Sequence, residues 1–576
     1  MEKKLRSHRW FYGINETGLQ HKGSLRSAGI NMDEYSGQPI IGIANTWSEL
    51  NSCNMSLRSV SEEVKKGILE AGGIPLEFPV ISLGEELMKP TAMLYRNLLA
   101  MEIEETLRAY PLDGVILLGN CDKTIPGLLM GAISANLPAI QLNGGPKKPG
   151  VFKGKKLGSG TDLWKYWDDL RIGKITQDEW EEIGKSLSCG FGSCNTMGTA
   201  STMNGLLEAM GMMPLGLSTL PVDSSKRWEI SKDAGKRIVD MVMEDLKPSD
   251  IITSSSLDNA ITACMALGGS TNAVIHLTAI AGRRNFSVYP ERFEEIGSKV
   301  PCIADVQPSG KKLMDEFNDA GGIPALLSNL KDHLNLTAKT FTGETLENLL
   351  KSQKVKNQTI IRAVVDPVIK APTLVVLHGN LAPDGAVLKV SAASPHLFSH
   401  TGPALVFKNY ADMLERIDDP LLDVDEDSIL VLQNAGPKGV PGMPEWGMIP
   451  IPKKLQEKGI CDMVRVSDSR MSGTSFGTVI LHVAPESAAG GPLSLVQDND
   501  IIELNVQERK IEWKISAEEL EKRTKSRPVL QEKTQRGYPG LYIREVLQAN
   551  QGCDFRFLKP ETDEDLNFIQ PLVGRS

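Results

Sequence analysis

The sequence predicts an α/β fold: an N-terminal, mostly parallel sheet with flanking helices, plus a C-terminal β-barrel-like domain. Three observations predict it. Over residues 39–142, apolar runs of strand length alternate with amphipathic runs of helix length. Near residue 370 the pattern changes to short β-rich runs in close succession, punctuated by Gly and Pro. The chain has 576 residues, more than one hydrophobic core holds. Two domains are therefore expected, residues 1–370 and 371–576.

Taken in order, residues 1–35 are polar and expected to be irregular. Pro39–Ala44 reads as a strand ending in Asn45-Thr46-Trp47, and the loop beyond it carries Cys53. Val60, Val64, Ile68 and Leu69 fall at helical spacing within 57–71, and Gly72-Gly73 closes that helix. Glu77–Ile81 reads as a second strand with Glu85 just past it. The third, Gly114–Leu118, runs into Gly119-Asn120-Cys121-Asp122-Lys123-Thr124, and a helix follows from Gly127. Pro138–Leu142 is the fourth. Continuous apolar runs of this kind belong to strands covered on both faces.

Residues 144–175 form a long Gly/Lys-rich connection containing Gly158-Ser159-Gly160-Thr161-Asp162-Leu163-Trp164. It has neither the spacing of a P-loop nor that of a dinucleotide fingerprint, and connections of this length are often lid-like. Gly192–Met203 is rich in small residues and leads into a helix at 205–210. Helices are expected at 226–246 and 257–281, the latter broken at Gly268–Asn272, where Ser270 or Thr271 would cap the next helix. Beyond 370, strands are expected at 373–377, 386–390, 404–407, 429–432, 463–466 and 478–482, with a hairpin of 501–506 and 511–515.

Composition excludes several classes. The net charge is −9 with no dense Lys/Arg run, which argues against nucleic acid. The N-terminal residues have no apolar core behind them and no run is long enough to span a bilayer. We expect a soluble, cytoplasmic protein without a membrane partner, or an organellar one if a transit peptide has been trimmed. The eight cysteines are scattered, so a disulfide framework is not expected.

Chemistry gathers where strands end. Cys53 follows the first strand, Glu85 the second, and Cys121, Asp122 and Lys123 the third. In an open parallel sheet these loops share the ligand-binding edge, and Cys194 could reach it. Thiolates suit iron–sulfur clusters or zinc, and carboxylates suit magnesium or manganese. Each residue also has an ordinary use: cysteine as a small buried hydrophobe, Asp122 as a helix cap, Lys123 as a solvated charge. No CxxC pair decides between them. In the β-rich part, Gly436–Glu445 is a Gly/Pro loop ending in a carboxylate, and Ser467–Thr474 offers Ser472, a catalytic hydroxyl or a turn serine. No His lies in that loop, so a Ser–His–Asp triad is not indicated.

The motifs GNCDKTIPGLLMGA from Gly119, GSCNTMGTASTM from Gly192, GGSTNAVIHL from Gly268, GNLAPDGAVLK from Gly379, GPKGVPGMPE from Gly436 and SDSRMSGTSFGTVILHVAPESAAGGPL from Ser467 together resemble the IlvD/Edd dehydratase family over essentially the whole chain. CNTMGTASTM and GSGTDLW resemble its sugar-acid branch, which acts on L-arabinonate or D-xylonate. The dihydroxy-acid branch has a CGG-type segment and an Arg-Ala-Pro-His-Arg stretch where this chain has Cys194-Asn195-Thr196 and His21–Arg26. The alternative activity is that of a dihydroxy-acid dehydratase of branched-chain amino acid synthesis.

The resemblance implies roles. Cys53, Cys121 and Cys194 match cysteines that hold an iron–sulfur cluster, [2Fe-2S] in preference to [4Fe-4S]. Glu85, Asp122 and Glu445 match carboxylates around Mg2+, and Lys123 matches a lysine carbamylated to become a ligand. Ser472 matches the base and Thr161 a threonine near the substrate. It further implies a small sugar-acid substrate, dehydration to a 2-keto-3-deoxy acid, and a homodimer or homotetramer.

Overall fold

Strand β1 (Ile40–Asn45) is buried along its whole length, as a run of Ile-Ile-Gly-Ile-Ala must be if both faces are to leave water. In the computed structural model, which describes residues 5–11, 15–32, 37–187, 189–527 and 536–574, it lies between β2 (Ile74–Pro79) and β3 (Gly114–Leu118), with β4 (Ala139–Leu142) outside β3. All three pairings are parallel, and Asn45 stands beside both Pro79 and Leu118. The order β2-β1-β3-β4 means that the chain leaves β1 to one side and returns to the other. The crevice at the carboxyl ends of β1 and β3 is therefore the topological switch point, where such sheets bind ligands.

The covering helices pack backbone to backbone. Helix Leu57–Glu70 lies against Ser225–Glu244, and Arg96–Ala109 against Thr124–Ala135. A Cβ on Gly67 would fall 1.9 Å from the Lys232 carbonyl oxygen, one on Gly235 2.4 Å from that of Val64, and one on Gly131 2.5 Å from that of Ala100. Only glycine permits that approach.

The later strands close into a barrel. These are β7 (Val375–Gly379), β8 (Ala382–Leu388), β9 (Ser399–Phe407), β10 (Ile429–Leu432), β11 (Arg465–Ser467), β12 (Val479–Leu481), β13 (Ile501–Asn505) and β14 (Lys510–Trp513). Around the barrel they run β10-β11-β12-β8-β7-β14-β13-β9, and β5 (Val151–Phe152) with β6 (Lys155–Lys156) forms a separate hairpin. Strands β9, β10, β11 and β12 are mutually parallel, so the loops after β10, β11 and β12 leave the same end. Val375, Leu377, Val406, Val431, Val466, Ile480 and Trp513 belong to the barrel's own apolar cluster.

Three expectations are corrected. Residues 1–35 are not irregular where described: His8–Phe11 and Glu16–Ser27 are helices, the second capped by Asn15, whose side chain accepts from Gly18 N at 2.9 Å. Residues 1–4, 12–14 and 33–36 of that stretch lie outside the described residues. The connection 144–175 contains the β5–β6 hairpin and a helix, Thr161–Arg171, opened by Gly160 at φ +83° and by the Asp162 carboxylate, which accepts from Gly158 N at 2.7 Å. Strands β8 and β9 start earlier than expected, because Pro383, Gly385, Gly402 and Pro403 sit inside strands rather than between them.

Candidate active site

The edge of β1 and β3 is stitched by side chains. The Thr46 hydroxyl donates to the Leu118 carbonyl at 2.8 Å, and Asn54 Oδ1 accepts from the backbone N–H of Asn120 and of Cys121, both at 3.1 Å. Asn120 Nδ2 donates to the Cys53 carbonyl at 2.8 Å. This holds Cys53, in a short 3₁₀ turn, beside Cys121, and both are buried. The Cys121 thiol is pushed well above the ordinary range, first by the hydrogen-bonded Cys53 thiol and then by burial and the Asp122 carboxylate. Gly192 brings the third thiol in. At φ +124° it donates to the Ser52 carbonyl at 3.1 Å, and a Cβ there would stand 2.7 Å from Lys147 N. Burial pushes Cys194 up to about 11, and the Cys121 thiol is near enough to add to that shift.

Beside the thiols lies a carboxylate cluster. Ligand oxygens of Glu85, Asp122 and Glu445 all fall within 4.8 Å of one another. Lys123 Nζ, fully buried, is 2.5 Å from Asp122 Oδ2 and 3.4 Å from both Glu85 Oε2 and Glu445 Oε1. Burial opposes its charge, yet the three carboxylates together hold its pKa above the ordinary lysine value. Glu85 is pushed up by burial, and by Glu445 and Asp122 against the pull of Lys123. Its Oε1 accepts from Thr91 Oγ1 at 2.6 Å, whereas its buried Oε2 makes no hydrogen bond among the described residues.

Sequence reasoning singles out these residues but misses the group that binds them together. Arg470, fully buried, donates to Glu445 Oε1 at 2.9 Å, Asn272 Oδ1 at 3.1 Å, Thr91 Oγ1 at 3.0 Å and the Met443 carbonyl at 2.7 Å. It lies within the Ser467 motif, but nothing in one-dimensional spacing marks an arginine as buried. Asn272 stands out in the sequence only as part of a helix break. Ser270 does accept from Asn272 N at 3.2 Å, while Thr271, at the cap position, makes no capping bond.

Ser472 follows Arg470 by two residues. Its Oγ lies 2.9 Å from Thr474 Oγ1 and accepts a long 3.4 Å bond from Thr474 N. The helix of the long connection reaches over this loop: Trp164 Nε1 donates to Thr474 Oγ1 at 3.2 Å, and Thr161 Oγ1 to the Thr474 carbonyl at 2.9 Å. Gly473 presses onto the start of helix Thr199–Ala209, where a Cβ would stand 2.5 Å from Thr199 N.

The donor sets suit two kinds of metal centre. Three carboxylates, one of them offering the buried Glu85 Oε2 that makes no hydrogen bond among the described residues, are hard ligands for a hard cation. Three converging thiols suit an iron–sulfur cluster with an open coordination position.

A switch-point crevice lined with thiols and carboxylates and covered by loops of a barrel is the candidate active site, shared between two parts of one chain. Family models described as the dihydroxy-acid/6-phosphogluconate dehydratase N-terminal and C-terminal regions match residues 38–349 and 359–553. The chain is 46% identical over 561 residues to 6-deoxy-6-sulfo-D-gluconate dehydratase of Pseudomonas putida, covering 97% of both chains. It is 47% identical over 559 residues to L-arabinonate dehydratase of Rhizobium leguminosarum bv. trifolii, covering 97% of this chain and 96% of the relative. Against dihydroxy-acid dehydratase of Caldanaerobacter subterraneus subsp. tengcongensis identity falls to 38% over 544 residues, 93% of this chain and 97% of the relative. The chain belongs to the dihydroxy-acid/6-phosphogluconate dehydratase family. Its members are dehydratases, and the protein is a hydro-lyase. No helix among the described residues is long and apolar enough to cross a membrane.

Proposed function

We propose that this hydro-lyase dehydrates a sugar acid, an aldonate of the pentonate type, to its 2-keto-3-deoxy acid. The observation that carries the reading is the Glu85–Asp122–Glu445 cluster around Lys123, next to the Cys53, Cys121 and Cys194 thiols in one crevice. Higher identity to two sugar-acid dehydratases than to the dihydroxy-acid dehydratase supports the substrate class. In this reading Cys53, Cys121 and Cys194 hold an iron–sulfur cluster, [2Fe-2S] in preference to [4Fe-4S]. Glu85, Asp122, Glu445 and a carbamylated Lys123 hold Mg2+. When bound, these centres supply Lewis acidity, iron toward the departing C3 hydroxyl and magnesium toward the substrate carboxylate and C2 hydroxyl.

The chain's own groups do the rest. Ser472 Oγ takes the C2 proton. A serine is a weak base unless its alkoxide is stabilised, and Thr474 is placed to help. The Trp164 indole can only donate, so it occupies an acceptor site on Thr474 Oγ1 and leaves the threonine proton free to point at Ser472 Oγ 2.9 Å away. Thr161 anchors the same loop through the Thr474 carbonyl, which ties the 161–171 helix to the loop that carries the base. Arg470 and Asn272 fix Glu445. Loss of hydroxide at C3 leaves an enol that tautomerises to the 2-keto acid, with no net redox change. We also place the division between an α/β domain and a barrel domain near residue 370, supported by the first barrel strand at Val375 and the barrel's separate apolar interior.

The test is a substrate panel on anaerobically reconstituted protein, with iron and sulfide counted on the same sample. We expect 2-keto acid from L-arabinonate or D-xylonate. Turnover of 2,3-dihydroxyisovalerate alone would transfer the protein to the dihydroxy-acid branch, and a protein that takes up no iron would remove the cluster from the reading.

A further inference from the structure

Strands β10, β11 and β12 are adjacent and parallel, and each is followed by a loop at the same barrel end. The first loop bears Glu445 and the second Arg470 and Ser472. The third, residues 482–486, bears no group assigned to the reaction, yet it ends in Glu486, a carboxylate 1% exposed.

That carboxylate is spent on the backbone of the first loop. Its oxygens accept from Lys438 N at 3.0 and 2.8 Å and from Gly439 N at 2.9 Å. Gln548, from the C-terminal segment, donates to Oε1 at 2.8 Å and accepts from Glu486 N at 2.9 Å. Asp468, at the root of the second loop and fully buried, completes the tie by accepting from Ala435 N at 2.9 Å and Ser487 N at 2.8 Å. The first loop is stiff from there to Glu445. Val440 N donates to the Gly436 carbonyl and Met443 N to that of Val440, while the Met443 carbonyl accepts from Arg470. A Cβ on Gly436 would stand 2.6 Å from Glu486 Oε2, so the carboxylate occupies the space that a side chain there would need.

We propose that Glu486 is a positioning residue for the divalent-ion site: by clamping the turn at Lys438–Gly439 it sets where the Glu445 carboxylate stands. The inference rests on the reading of Glu85, Asp122 and Glu445 as ion ligands. Its chemistry is specific to a carboxylate, which only accepts, because every group it meets on Lys438, Gly439 and Gln548 is an N–H donor. Burial, and then the neighbouring Asp468 charge, push Glu486 up to about 7, while the Gly439, Gln548 and Lys438 donors pull it down. Cys553, whose thiol burial pushes up to about 12, is a further titratable group near it.

The experiment is a Mn2+ titration followed by electron paramagnetic resonance on full-length protein, wild type against Glu486→Gln, alongside the Mg2+ dependence of turnover. In the variant an amide N–H₂ must face a backbone N–H or the Gln548 amide. We expect Mn2+ binding weakened about tenfold or more, as outer-shell changes typically do. Iron and sulfide content should be unchanged, and saturating Mg2+ should restore most of kcat, which a misfolded protein would not allow. Wild-type Mn2+ affinity in Glu486→Gln overturns the clamp and leaves the ion site standing. A wild-type protein that binds no Mn2+ overturns both. If Glu486→Gln does not fold, Gly436→Ala presses on the same carboxylate from the loop side; the same weakening is expected, and unchanged affinity there overturns the proposal equally.

Discussion

Asn272 Nδ2 donates to Glu445 Oε1 at 2.9 Å, so the first residue of a helix in the α/β part holds a carboxylate carried by the barrel. The same amide donates to Thr199 Oγ1 and the Met471 carbonyl, and its oxygen accepts from Arg470. All these groups are buried or nearly so, where an unmatched donor is costly. Asn272→Leu should therefore weaken Mn2+ binding and lower kcat by about tenfold to a hundredfold, and Asn272→Asp, which sets a second charge against Glu445, should do at least as much harm. Mn2+ resonance and steady-state turnover measure both, and wild-type values in both variants would show that Arg470 and Lys123 hold Glu445 without Asn272.

Lys123 separates two roles that its surroundings allow. As an ammonium it neutralises Asp122, Glu85 and Glu445; as a carbamate it joins them. Its pKa stands above the ordinary lysine value, because three carboxylates outweigh burial, so the neutral amine that reacts with CO2 is scarce at neutral pH. Carbamate formation should accelerate as pH rises and should require divalent ion to persist. ¹³C-bicarbonate incorporation followed by NMR checks this, with Lys123→Arg as control. No incorporation, together with full activity in Lys123→Arg, would leave the residue as a simple counter-charge.

The Thr474 hydroxyl lies 2.9 Å from Ser472 Oγ, with one of its two acceptor positions taken by the Trp164 indole, and on the reading of Ser472 as base it donates to the alkoxide. Removing that hydroxyl in Thr474→Val should raise the apparent pKa of the base by about one unit, about 1.4 kcal/mol of lost alkoxide stabilisation, and lower kcat about tenfold at neutral pH. Trp164→Phe should shift the profile the same way by less. An unmoved pH profile would assign Thr474 to loop structure alone.

The strand ends carry most of what is legible in the sequence. Fully buried parallel strands advertise themselves as apolar runs, and polar groups just after them share an edge by topology. Order along the chain is therefore enough to bring Cys53, Glu85, Cys121, Asp122 and Lys123 together. The alternation of short strands with Gly and Pro likewise points to the barrel. What stays hidden depends on burial and on long-range partners. Arg470 and Asn272 look like ordinary polar residues until the barrel loop docks on the helix. The 161–171 helix fully buries only Thr161 and Asp162, both polar, so no buried apolar stripe marks it, and the metals are proposed from family motifs, not from spacing.

Lys389 tests the folding energetics away from the site. It follows β8, is 1% exposed, and its Nζ has no hydrogen-bond partner among the described residues. Burial lowers its pKa from 10.5 to about 8, with the Cys302 and Cys264 thiols pulling weakly the other way. A lysine whose folded pKa lies below its unfolded value binds fewer protons folded than unfolded between about 8 and 10.5, so stability rises with pH across that window. Below it the protein carries the full penalty, an upper limit of about 3 kcal/mol at 1.36 kcal/mol per unit. Lys389→Met, of similar length and without the charge, should unfold later than wild type at pH 7, and its advantage should shrink steadily by pH 10. Denaturation midpoints of the two proteins across that range measure it. A variant less stable than wild type at pH 7, or a difference that does not change with pH, would mean that the ammonium is paired inside the fold.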